Sequence, residues 1–179
     1  MPRWAAVMLI ALAWSSLAFC GEIHEAVRNG SDLATIEALL KDNPDLVFAK
    51  DKTGNVPLYW AVVLDREDVS QVLLDNKADV NAKSSNGIPL LHMAILQGFK
   101  AEVQLLLANK ADVNSRDNTG ATPLQYATGY HRKDIVELLL ANKADVNARD
   151  LAGRTAFYEA TAGGYKDIAE LLRQHGGHE

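Results

Sequence analysis

The residues able to do chemistry are few, and most of them are evenly spaced. Five histidines (His24, His92, His131, His175 and His178) and one cysteine, Cys20, are the whole stock of soft ligands and ready nucleophiles in 179 residues. A single cysteine makes neither an internal disulfide nor a cysteine-based zinc site. His175, His178 and Glu179 have the right types to chelate a metal, but they sit on a tail with Gly176 and Gly177 and lack the fixed geometry a metal site requires. The chain has no Gly-x-Ser-x-Gly elbow, no phosphate-cradling glycine loop and no His-Glu-x-x-His. The carboxylates Asp79, Asp112 and Asp145 recur every 33 residues. Catalysis needs one unsymmetrical constellation, whereas a ladder of equivalent residues is structural grammar. The sequence therefore reads as non-enzymatic, with no cofactor and no metal.

Apolar residues make up 48% of the chain and charged residues 23%, the balance of a folded globular protein. The formal net charge is −5. Neutralising phosphates takes an excess of Lys and Arg, so a nucleic-acid partner is not expected. Residues 4–20 are uncharged and mostly apolar behind Arg3, and end in Ser15-Ser16-Leu17-Ala18-Phe19-Cys20. A positive start, an apolar middle and small residues at the end are the layout of a secretory signal over residues 1–20, with cuts after Ala18 or after Cys20 both fitting. The rival readings are a retained or lipid-bearing anchor at Cys20 and a core helix. The mature chain is thus expected in the periplasm or medium. It would meet a membrane only if this segment is retained or Cys20 is lipidated.

Those regular residues are positioned by a larger repeat. Asn-Lys-Ala-Asp-Val-Asn occurs at 76–81, 109–114 and 142–147; Gly54, Gly87, Gly120 and Gly153 follow the same interval, as do Ala61, Ala94, Ala127 and Ala160. A fixed period of this size means stacked supersecondary units. Within 120–152 the pattern predicts a helix over Pro123–Thr128, with proline at the first turn where its missing N–H costs nothing. It predicts a second over Lys133–Ala141, with Ile135, Val136, Leu139 and Leu140 on one face. Neither helix can bury its apolar stripe alone, so each pair must lean on the next.

Gly120-Ala-Thr-Pro-Leu-Gln-Tyr-Ala127, followed by Asp134-Ile-Val-Glu-Leu-Leu-Leu and Ala144-Asp-Val-Asn147, resembles the ankyrin repeat. The resemblance covers 21–179 and implies an all-α solenoid of five units, at about 21–53, 54–86, 87–119, 120–152 and 153–179, with turns projecting as fingers. The first unit is degenerate and the last carries Glu159 where the others have Trp60, Met93 and Tyr126. Pro89-Leu90 in place of Thr-Pro is expected to shift the third unit's first helix by about one residue. Lys77, Lys110 and Lys143 stand where the family has a left-handed glycine. His24 and His92 fall where the family's histidine bonds between units, and Trp60 reads as core, with Tyr59 reaching a neighbour through its hydroxyl.

The resemblance further implies a monomeric protein-binding module. Its contacts would come from the ends of the first helices (Val63, Leu64, Leu96, Gln97 and Tyr130) and from the fingers (Lys52, Asn55, Ser85, Asn86, Asn118, Thr119, Leu151 and Arg154). Val63, Leu64, Leu96 and Tyr130 read as one apolar strip with Tyr130 at the centre of a groove. Lys50, Lys83, Arg116 and Arg149 form a basic row beside Asp51, Ser84, Asp117 and Asp150, read either as a rail for an acidic partner or as a self-compensated salt-bridge ladder, the latter favoured. A dedicated inhibitor or immunity-type protein for one enzyme, and a membrane-tethered adaptor, are the rival functions.

Overall fold

A computed structural model of the protein describes residues 21–179; the expected export signal at 1–20 lies outside the described residues. Helix α1 occupies 21–28 and is followed by α2 (Leu33–Asp42) and a 3-10 turn at Pro44–Phe48. Four further pairs follow: α3 (Pro57–Val63) and α4 (Glu67–Asp75), α5 (Leu90–Gln97) and α6 (Lys100–Ala108), α7 (Pro123–Gly129) and α8 (Lys133–Ala141), α9 (Ala156–Ala162) and α10 (Lys166–Gln174). The fold is an all-α repeat solenoid, and among the described residues the only β feature is a single bridge between Lys83 and Pro89. No helix among the described residues is long and apolar enough to cross a membrane.

Local chemistry sets each helix start. Thr122 caps α7 by a reciprocal box, its hydroxyl accepting from Gln125 N while the Gln125 side chain accepts from Thr122 N. Thr155 caps α9 through Tyr158 N. The third pair corrects the expectation of a shifted start: α5 begins at Leu90, 33 residues after Pro57 and 33 before Pro123. Pro89 takes the capping position with extended backbone, φ −61° and ψ 148°, so the register survives. The turns that end the second helices place Lys77, Lys110 and Lys143 at φ 70°, 70° and 66°, as the pattern implied. A side chain in the left-handed region costs roughly 1–2 kcal/mol, partly offset by a cation near the negative helix end.

Columns of side chains, one from each pair, weld the stack. Leu73, Leu106, Leu139 and Leu172 are all fully buried, and so are Ala61, Ala94, Ala127 and Ala160. Each leucine contributes about 1.5–3 kcal/mol by leaving water. The alanines let the first helices pack more closely on one another than the second helices do. One column is broken: Val69, Ile135 and Ile168 frame Glu102, which is 0% exposed. Both its carboxyl oxygens, and the hydroxyl of Ser70 buried nearby on α4, lack a hydrogen-bond partner among the described residues. Burial pushes the Glu102 carboxyl up to about 7; the Ser70 hydroxyl, near it but outside good hydrogen-bond geometry, offsets part of this, and the Glu67 and Asp65 carboxylates add to it.

Candidate functional site

Residues 60, 93, 126 and 159 stand at equivalent places on the first helices. Trp60, Met93, Tyr126 and Glu159 are half-buried there, and Trp60 packs against the core from its margin. The polar end of each ring is tied to a finger nine residues upstream. Trp60 Nε1 donates to Asp51 Oδ2 at 2.7 Å, and Tyr126 Oη donates to Asp117 Oδ2 at 2.8 Å. Arg28 lies over the Trp60 ring at 4.5 Å, and Tyr59 packs edge-on against it at 5.1 Å, a ring contact in place of the expected hydroxyl reach. In the last pair Glu159 substitutes an ionic link: Arg154 bridges Asp150 at 2.7 Å and Glu159 at 3.3 Å.

The finger carboxylates are therefore spent at home. Burial alone would raise the Asp51 carboxyl, but hydrogen bonds from Thr53, Trp60 and Asn55 outweigh it and hold the group at about 2. Asp117 is lowered in the same way by Thr119, Tyr126 and Ala121, against its own burial. Burial and the adjacent Asp117 carboxylate push the Tyr126 phenol up, so it remains a donor.

The expected contact residues at the helix ends share one register. Leu64 and Tyr130 are the capping residues of α3 and α7, and Gln97 is the last residue of α5. Leu64 is 44% and Tyr130 52% exposed; Val63 and Leu96 are half-buried and Gln97 is exposed. Tyr130 stands at the turn between first and second helices, with its ring 6.1 Å from that of Tyr126. His131, next in sequence, adopts φ 53° and stacks flat on Tyr165 at 4.3 Å.

The fingers are zipped to one another by the residues expected to reach outward. Asn55 is only 5% exposed and accepts from Ser85 N at 2.8 Å, so it is an internal brace and not a contact residue. Asn118 Nδ2 donates to Asn86 O at 2.7 Å, and Leu151 N donates to Thr119 O at 2.9 Å. The Thr119 hydroxyl bonds Asp117 and the Arg154 guanidinium bonds Asp150. Lys52 is exposed, and Leu151, 82% exposed, is the most exposed large apolar side chain among the described residues.

The basic row is not a salt-bridge ladder. Lys83 Nζ donates to Arg116 O at 3.1 Å, and Arg116 donates to Arg149 O at 2.6 Å and to Gly120 O at 2.7 Å. Arg149 donates to Gly153 O and Glu179 O. Lys83 and Arg116 each clasp the backbone of the next finger, and their charge stays uncompensated because a carbonyl is neutral. A second ladder runs beneath: Asn81, Asn114 and Asn147 accept from Asp112 N, Asp145 N and His178 N at 2.8, 2.8 and 3.1 Å. Two of the histidines serve the same welding, and the two near the end of the chain bond locally. The His24 and His92 rings donate through Nε2 to Asn55 O and Ala121 O, at 3.1 and 3.0 Å. His175 and His178 bond the carbonyls of Leu171 and Gly176 through Nδ1.

Sequence reasoning missed the row at 60, 93, 126 and 159 and its carboxylate tethers. The signal was present as a nine-residue offset between Asp51 and Trp60, repeated between Asp117 and Tyr126. Comparison with known families matches the three-copy description of ankyrin repeats over residues 71–150 and 91–179, and the single ankyrin repeat over 53–85. No curated protein matches the chain.

Proposed function

The chain belongs to the ankyrin-repeat family, and on that premise we propose that it is a non-enzymatic module of five units that holds a protein partner in the groove between its inner helices and its fingers. Ankyrin repeats are protein–protein interaction modules, and one observation carries the reading to this groove. Its aromatic floor is already immobilised: Trp60 and Tyr126 have their polar atoms tied to Asp51 and Asp117, while the lip offers Leu64 and Tyr130 to solvent. A surface fixed in advance loses little conformational entropy when a partner arrives. Aromatic side chains ringed by polar residues are also the composition from which binding hot spots are made. We further propose that residues 1–20 direct the chain out of the cytoplasm as an export signal, so that the partner is met in the periplasm or the medium.

The test is affinity capture from the exported fraction with the full chain and its Tyr130→Ala variant. Capture of a protein by the parent chain, reduced at least about tenfold in the variant, supports the groove. Equal capture by both, with circular dichroism unchanged, removes the lip from the binding surface.

A further inference from the structure

Both ladders that bind finger to finger stop at the first junction. Phe48 stands 33 residues before Asn81, where the later units have the asparagine that accepts from the following turn. It is 54% exposed. Lys50, 33 residues before Lys83, makes no hydrogen bond or ion pair to the second finger, whereas Lys83 and Arg116 each clasp the finger after them. With both of these links absent, the two fingers, still braced by Ser85 N donating to Asn55 Oδ1 at 2.8 Å, line a cleft of about 530 Å³, a size typical of ligand-binding clefts. Phe48, Val56 and Ala82 give it apolar walls, Lys50 and Lys83 line it, and Asp79, which also lines it, is occupied by Asn81 N.

We propose that this cleft is a docking site for an acidic segment of the protein partner, which lays an apolar side chain on Phe48 and brings a carboxylate between Lys50 and Lys83. The proposal rests on the reading of the chain as a protein-binding module and names the partner's chemistry. Charge complementarity carries it. The finger segments 50–55, 83–88, 116–121 and 149–154 hold six Lys or Arg against three Asp, although the chain as a whole is −5. The three Asp keep their charge within hydrogen bonds of their own fingers and Arg154 is paired with Asp150 and Glu159, but Lys50, Lys52 and Lys83 make no ion pair and outnumber Asp51 on the first two fingers. A peptide carboxylate beside a Leu, Ile or Phe satisfies both walls at once. A nucleic-acid strand would carry a charge at every residue toward a net-acidic molecule and leave the apolar wall unfilled.

A random linear peptide library selected on the full chain tests this. Enriched peptides are expected to pair Asp or Glu with a neighbouring large apolar residue. Their synthetic forms should weaken about tenfold or more toward Lys50→Glu and toward Phe48→Ala, and their affinity should fall with rising salt. Lys50 holds nothing in the fold, so Lys50→Glu should melt like the parent. Neutral or basic winners, or acidic winners that bind Lys50→Glu unchanged, overturn the assignment while leaving the module reading standing. A single-stranded oligonucleotide that binds the parent more tightly than the winning peptides overturns it in favour of a polyanion. Failure to enrich any peptide overturns the assignment of the cleft and leaves the module reading to the capture experiment.

Discussion

Replacing Glu102 by isoleucine should stabilise the protein, and by an amount that depends on pH. Ile135 and Ile168 hold the equivalent place in the two following pairs and are essentially fully buried, so isoleucine fits the column. Glu102 is held at about 7 against an ordinary value of 4.5. At about 1.4 kcal/mol per pH unit, that difference is worth about 3 kcal/mol. The folded state favours the protonated carboxyl, so this penalty is absent below pH 4.5, grows as pH rises toward 7, and is complete above it. Parent and Glu102→Ile should therefore differ by about 3 kcal/mol more at pH 8 than at pH 4.5. Glu102→Gln should share the flattened dependence while leaving polar atoms buried without partners. Urea unfolding of all three chains across this range reads the effect, and thermal midpoints at pH 8 should separate parent from Glu102→Ile by about 6–12 °C. Parallel pH profiles for parent and Glu102→Ile would refute the burial argument, since a carboxyl with its ordinary affinity for protons contributes no slope there.

Leu139→Ala, at the middle of the leucine column, should cost about 2–5 kcal/mol in urea unfolding. Gly98 has φ +81° and a Cβ there would stand 2.7 Å from Arg132 Cζ, so Gly98→Ala should destabilise by about 1–2 kcal/mol in the same assay. Trp60→Phe keeps the ring but removes the donor to Asp51, so the Asp51 carboxyl should rise from about 2 toward its ordinary 3.8 in a carbon-13 carboxyl titration. A depressed carboxylate stabilises above its unfolded value and loses that contribution as pH falls, so this variant should lose less stability than the parent between pH 4 and 2. Asn114→Ala cuts one rung to Asp145 N and should cost about 0.5–1.5 kcal/mol in urea unfolding.

Much of this molecule was legible before any fold was in hand, because the 33-residue period prints local rules directly. Proline or threonine at the first turn, the Ile135-Val136-Leu139-Leu140 face and the alanine comb are short-range signals, and each was sufficient to place a helix. The left-handed turns at Lys77, Lys110 and Lys143 were equally local: they follow from the family's glycine at that place and from backbone sterics. The shift expected at Pro89 failed because one extended residue at a cap absorbs the change without moving the helix that follows.

What the sequence could not state was where polar atoms go between units, since that depends on how closely adjacent pairs lie. Arg116 beside Asp117 suggests an ion pair on paper; in the stack the guanidinium reaches the next finger's carbonyl, and the carboxylate turns to its own loop and to Tyr126. Asn55 looked like a contact residue and became a brace once the second finger closed over it. Glu102 carried no signal of its own in the sequence, and only stacking placed it, fully buried, between Val69 and Ile135. Composition and period thus decided which elements form and in what order, because those choices are made within a turn or two of chain. Spacing between neighbours decided which charges remain unanswered and which clefts stay open, because hydrogen bonds and desolvation act only across the few ångströms that tertiary packing sets.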